Sequence, residues 1–259
     1  MIEILESLKI VNEKDIYKQV KNIDDSKEIK GVILDTREFD LDKYLDLSVI
    51  SRIGVGIDNI DLQECERRNI KVFITPCQEL IDAVAEFTIM QMLNLIRKNI
   101  GGRNLRELKI GIIGFGRIGE AVSDILLSIG CVVYGCDKKM SFYVSNKEYV
   151  LKESDIITIH VSGNEQIIGE DELKLMKGGS YIINTAREKC IDEKAILKAL
   201  KSGKLAGVAT DVNLSLVSKN KSIENKIIRT PHIASMTYDA RKAMEALAVE
   251  NLLKGLKEI

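Results

Sequence analysis

Lys109–Asp137, KIGIIGFGRIGEAVSDILLSIGCVVYGCD, reads as strand, glycine turn, helix, strand and acidic residue. The apolar run before Gly114 suits a parallel strand covered on both faces. Gly114 supplies the tight turn. Gly116 lets the backbone approach a pyrophosphate with no Cβ between, and Gly119 lets the helix pack closely on the strand. The helix that opens at Arg117 and Ile118 presents free N–H groups and the positive end of its dipole to the phosphates. Asp137 stands eighteen residues after Gly119, at the end of the second strand. Its carboxylate suits the ribose hydroxyls of an adenosine and repels a 2′-phosphate, which favours NAD over NADP. Lys138 and Lys139 follow at once and weaken that preference, so NADP stays open as the alternative.

Outward from this unit, short apolar runs alternate with helical patterns. Strands are expected at Val32–Asp35, Arg52–Val55, Lys71–Ile74, Lys109–Gly114, Val132–Asp137, Ile156–Val161, Ser180–Asn184 and Gly207–Val212. DEKAILKALKSGK is a clear helix: Asp192 suits the N-cap, Ala195, Ile196, Ala199 and Leu200 recur at helical spacing, and Gly203 suits the stop. Strands alternating with helices predict an α/β fold with parallel sheets.

Composition narrows the function. The 259 residues are 45% hydrophobic and 30% charged, which is ordinary for a globular protein. The net charge of −1 offers no basic excess for nucleic acid or an anionic membrane. Aromatics are 5% and tryptophan is absent, which argues against a stacking platform for single strands. Cys65, Cys77, Cys131, Cys136 and Cys190 form no CxxC pair and read as reduced, mostly buried thiols; no metal site is expected. Glu3 and Glu6 stand where a signal peptide would be basic and then apolar, and Ala83–Ile96 is too short and too polar to span a bilayer. A cytoplasmic protein is expected.

Four further stretches fit one pattern with the glycine loop: RIGVGIDNID (Arg52–Asp61), VAEFT (Val84–Thr88), INTAREKCIDEKAI (Ile183–Ile196) and TPHIAS (Thr230–Ser235). In that order they resemble the D-isomer-specific 2-hydroxyacid dehydrogenases, from about residue 50 to the C-terminus. The resemblance implies two Rossmann-like or flavodoxin-like domains with parallel sheets. A nucleotide domain at 81–235 is inserted in a discontinuous, shortened substrate domain formed by 1–80 and 236–259, with the site in the cleft. It implies NAD as cofactor, a small 2-keto or 2-hydroxy acid as substrate, and a homodimer. Val55 and Gly56 would offer N–H groups to the substrate carboxylate. Arg187 would clamp carboxylate and carbonyl, and His232 would handle the proton. Asp211 would hold the nicotinamide carboxamide, while His160, Thr185 and Ala186 would line the cofactor site. The chemistry favours these residue types independently. A guanidinium is a planar, permanent fork for a carboxylate and for charge developing on the carbonyl oxygen. An imidazole titrates near neutrality and serves in both directions.

The chain also departs from the family. The family's segment resembling D-V-F-x-x-E-P carries a glutamate that pairs with the histidine; here DVNLSLVSKNKS places Leu216 there and Val217 at the proline. A leucine accepts no hydrogen bond, so a buried His232 would favour its neutral form and ketone reduction would slow. Three readings stay open: another acid substitutes (Glu79, Asp82, Glu86 or Glu224), the histidine works unassisted, or the chain is a catalytically weak nucleotide-binding sensor or scaffold. The roughly 30 residues before VILDT, the short GGR link after LNLIRKN and the short SGNEQIIGE segment suggest a trimmed substrate domain, dimer arm and cleft. Arg37 is a candidate second cationic contact or simply a solvated charge.

Overall fold

The computed structural model describes residues 2–4, 29–98, 102–138, 146–163, 165–218 and 220–258. The chain divides into two compact units, Met1–Leu80 with Met236–Ile259, and Ile81–Ser235.

The first unit holds a parallel sheet of β1 (Ile2–Ile4), β2 (Gly31–Leu34), β3 (Val49–Arg52) and β4 (Lys71–Ile74), in that spatial order. Val32, Leu34 and Ile50 pack on one face with Ile60, Cys65 and Ile70, around the short helix α1 (Leu62–Arg67). Asp61, which closes RIGVGIDNID, caps that helix by accepting the Glu64 N–H at 3.0 Å. The C-terminal helix (Tyr238–Lys257) covers the sheet as well: Ser51 Oγ donates to Ala248 O at 2.7 Å, and a Cβ on Gly255 would meet Phe73 and Val49 at 2.8 Å. The strand expected at Arg52–Val55 lies earlier, at Val49–Arg52. All four of its residues are buried, and Gly54 at φ +112° turns the chain out of the sheet.

The second unit begins within α2 (Gln78–Arg97) and is built on β5 (Lys109–Ile113), β6 (Val132–Cys136), β7 (Ile156–Ile159), β8 (Ser180–Asn184), β9 (Leu205–Thr210) and β10 (Ile227–Arg229). All pair in parallel, in the order β6-β5-β7-β8-β9-β10. Buried side chains cover both faces. Met92, Leu95, Ile110, Ile112 and Val122 lie on one, and Ile157, Ile159, Leu173, Ile182, Ile196 and Val208 on the other. This explains the near-continuous apolar strands. Between the strands run α3 (Arg117–Ser128), α4 (Lys147–Glu153), α5 (Glu170–Leu175), α6 (Glu193–Ser202) and α7 (Ser215–Ser218). Helix α6 has the expected ends: Asp192 accepts the Lys194 and Ala195 N–H groups at 2.9 and 3.2 Å, and Gly203 closes it at φ +78°. β9 starts two residues before its expected position and ends before Asp211. β10, three residues long, had no apolar run long enough to announce it. The chain leaves β5 to one side for β6 and returns to its other side as β7, so the loops after β5 and β7 diverge at a switch point of the kind that binds ligands.

None of the five cysteines forms a disulfide, and burial pushes the Cys136 thiol up to about 11. No described helix is long and apolar enough to cross a membrane. Lys139, the link at 99–101 and the stretch 5–28, on which the expectation of a trimmed substrate domain rests, lie outside the described residues.

Candidate functional site

In the second unit the expected residues gather at the carboxyl ends of the parallel strands. The order along that edge is Asp137 after β6, Gly114 after β5, His160 after β7, Thr185 after β8, Asp211 after β9 and His232 after β10. Close contacts run from each to the next. The Phe115 N–H donates to Asp137 Oδ2 at 2.9 Å. A Cβ on Gly114, which holds φ +93°, would lie 2.6 Å from the His160 carbonyl carbon. Thr185 Oγ1 faces His160 Nδ1 at 3.4 Å, and the Asp211 N–H donates to Asn184 O at 3.0 Å.

The glycine loop fits a dinucleotide. A Cβ on Gly119 would collide with the Gly114 carbonyl oxygen, so the helix–strand approach needs glycine there. A Cβ on Gly116 would meet only open space, so the room beside this backbone is on the solvent side, where a pyrophosphate would lie. Gly116 is the N-cap of α3 and has no side-chain cap hydrogen bond. Arg117 is exposed and Ile118 half-buried at the first helical turn. Lys138, beside Asp137, forms an ion pair with Glu165.

His160 is held by two threonines: Thr158 Oγ1 lies 2.9 Å from Nε2, opposite Thr185. Desolvation lowers its pKa from 6.5 to about 4, so its ring is neutral. Arg187 is presented by a small turn that the fully buried Asn184 organises. Asn184 Oδ1 accepts the Ala186 N–H at 3.1 Å and Nδ2 donates to Arg187 O at 2.9 Å, while Arg187 Nη1 donates to Ala186 O. Ala186 is buried beneath it.

Asp211 is buried and binds the turn that carries His232. Its Oδ1 accepts from Thr230 Oγ1 at 2.5 Å and from the Ile233 N–H at 2.9 Å; Oδ2 accepts the Ala234 N–H at 2.8 Å. His232 itself is exposed and takes φ +57°. The turn holds it at the surface, so the buried setting in which its neutral form would be favoured does not apply. No hydrogen bond or ion pair joins its ring to a described residue. Leu216 is 45% exposed on α7, whose first turn is capped by Glu193: Oε1 accepts the Leu216 and Val217 N–H groups at 2.8 and 3.4 Å. Of the acids considered as substitutes, Asp82 and Glu86 lie on the exposed face of α2, and Glu224 faces Arg229 at 3.9 Å.

In the first unit, the Gly54 N–H donates to Thr75 Oγ1 at 2.6 Å and the Thr75 N–H returns to Gly54 O at 3.0 Å. This pins the 53–56 loop. The N–H groups of Val55 and Gly56 are not engaged by any described residue, and Val55 is exposed. Arg37 lies 3.5 Å from Asp35 with its side chain 59% exposed, which favours the solvated reading.

Asn184, Thr158, Thr230 and Gln91 were not singled out from the sequence. Asn184 and Thr230 stood inside quoted motifs, whereas Gln91 looked like one polar residue in an apolar helix.

Residues 79–234, more than half of the chain, match the family described as D-isomer specific 2-hydroxyacid dehydrogenase, NAD binding domain. A glyoxylate reductase of Thermofilum pendens is 33% identical over 92% of this chain and 80% of its own. A hydroxypyruvate reductase of Thermotoga maritima is 32% identical over 81% and 78%. The D-lactate dehydrogenase of Aquifex aeolicus, solved with NAD and lactic acid, superposes with a TM-score of 0.80 at 27% identity, covering 96% of this chain and 87% of that one. The chain belongs to the D-isomer specific 2-hydroxyacid dehydrogenases, oxidoreductases that use NAD.

Proposed function

We propose that this chain reduces a small 2-keto acid of the size of glyoxylate or hydroxypyruvate to the D-hydroxy acid. The names of its relatives support turnover over nucleotide binding alone. The observation that carries the reading is the alignment of the glycine loop, the Arg187 turn and the His232 turn along one edge of one parallel sheet. Bound NADH supplies the hydride for C2 of the substrate. Gly114, Gly116 and Gly119 keep the pyrophosphate side of the loop open, with Arg117 and Ile118 at the helix start. Asp137 receives the ribose hydroxyls. Neutral His160 with Thr185 and Ala186 forms the wall at the carboxyl ends of β7 and β8. Oδ2 of Asp211, with one protein donor, retains a lone pair for a carboxamide N–H.

Arg187 orients the substrate carboxylate and stabilises charge as it develops on the carbonyl oxygen. His232 delivers the proton to that oxygen from Nδ1 or Nε2. In the first unit, the unengaged Val55 and Gly56 N–H groups suit a carboxylate. With Leu216 at the glutamate position, the histidine works without a carboxylate partner from that segment.

The test is NADH consumption with a panel of 2-keto acids in wild type and Arg187→Ala. Wild type should turn over at least one of them, and the variant should lose about a hundredfold or more in kcat/KM, or about 2.7 kcal/mol of transition-state stabilisation. Tight NADH binding with no turnover of any keto acid would leave a binding protein instead.

A further inference from the structure

We propose that Gln91 and Thr230 are positioning residues that act on His232 through Asp211; this rests on the reading of His232 as the proton donor. His232 sits at φ +57°, a left-handed conformation that is strained for a non-glycine residue and persists where its surroundings over-determine it. Here the determinant is a single buried carboxylate. Oδ1 of Asp211 accepts from Thr230 Oγ1, two residues before His232, and from the Ile233 N–H, one residue after it. Oδ2 takes the Ala234 N–H. The imidazole is thus bracketed on both sides by donors to one acid, at the end of the β10 pairing that ties the Thr230 N–H to Thr210 O at 3.0 Å.

Thr230 has one hydroxyl proton, and its shortest contact is to the carboxylate at 2.5 Å. Thr210 O, 3.4 Å away, is a weaker competing acceptor for that proton, so the oxygen takes a hydrogen bond only from a donor partner. That partner is Gln91 on α2, only 1% exposed, whose Nε2 lies 3.4 Å from Thr230 Oγ1. The much shorter contact to the carboxylate sets the proton order as Gln91 to Thr230 to Asp211. The arrangement leaves Gln91 Oε1 buried with no hydrogen-bond partner among the described residues. An unmet buried acceptor is destabilising, and a leucine would fill a helix–sheet contact without it. Packing alone does not account for glutamine at this position. Orienting the Thr230 hydroxyl, and with it the face of Asp211 that grips the turn, does.

Four variants test this: Thr230→Val, Thr230→Ser, Gln91→Leu and His232→Ala. Each is measured for the single-turnover rate of NADH oxidation with glyoxylate and with hydroxypyruvate, for KM, for NADH affinity and for thermal melting. Thr230→Val should slow the chemical step about tenfold, leave KM and the NADH dissociation constant within twofold, and melt as one cooperative transition. Thr230→Ser should return to within threefold of wild type, because it restores the hydroxyl. Gln91→Leu should slow the step about threefold with the same split. If Thr230→Val loses its cooperative melt, the split in Gln91→Leu decides. The proposal is overturned if Thr230→Val keeps the wild-type rate while His232→Ala abolishes turnover. It is equally overturned if rate, KM and NADH affinity fall together, or if serine fails to rescue. A His232→Ala variant with the wild-type rate would instead remove the proton-donor reading on which the proposal stands.

Discussion

The two histidines divide cleanly by environment. His160 is held between threonine hydroxyls and kept neutral by desolvation; His232 projects from a turn. His160 has a folded pKa of about 4 against 6.5 unfolded, so the unfolded chain binds more protons between those values. Stability should be fully present above pH 6.5 and fall as the pH drops toward 4, by at most about 3 kcal/mol. Urea unfolding of the apo protein at pH 7 and pH 5 would show it. Wild type should lose more stability across that interval than His160→Gln, and equal losses would contradict the assignment. Leu216 gives a second prediction at this scale. It is surface-exposed, so Leu216→Glu should change stability by no more than about 0.5 kcal/mol. It should raise the rate of keto-acid reduction several-fold if an acid is what the histidine lacks, and leave the rate unchanged if the histidine is sufficient alone. Steady-state kinetics on both proteins separates these results.

The decisive element is the β5–α3 turn, where Gly114 and Gly119 leave no room for a side chain. In Gly119→Ala the new methyl would meet the Gly114 carbonyl oxygen, so α3 must shift away from β5. The strain should cost about 1–3 kcal/mol and weaken NADH binding at least tenfold, read by melting and by fluorescence titration. Unchanged affinity would mean that the loop tolerates the shift. Elements with their own local punctuation were legible in the sequence, as α6 was from Asp192 and Gly203. β3 lies earlier than expected because Gly54, expected inside a strand at Arg52–Val55, is where the chain turns out of the sheet after Arg52. β10 was missed because three residues carry no period; it is specified by its pairing with β9.

At the scale of the molecule, the α/β class, the parallel sheets and the family were all legible, because a glycine loop, NTAR and TPHIAS each sit at a strand end and their order along the chain is distinctive. What the sequence could not show are contacts between residues far apart in it. The Gln91–Thr230 pair spans 139 positions, and Asp211 reaches the His232 turn over 19 to 23. Such partners are set by strand order, which no local pattern encodes. The central claim is hydride transfer to a 2-keto acid. Its most direct measurement is incubation of the wild-type enzyme with C4-deuterated NADH and glyoxylate or hydroxypyruvate, followed by mass spectrometry of the product. The account predicts deuterium transferred from the nicotinamide to C2 of the hydroxy acid, and transfer reduced about a hundredfold in Arg187→Ala. Saturating NADH binding with no label in any hydroxy acid would contradict it.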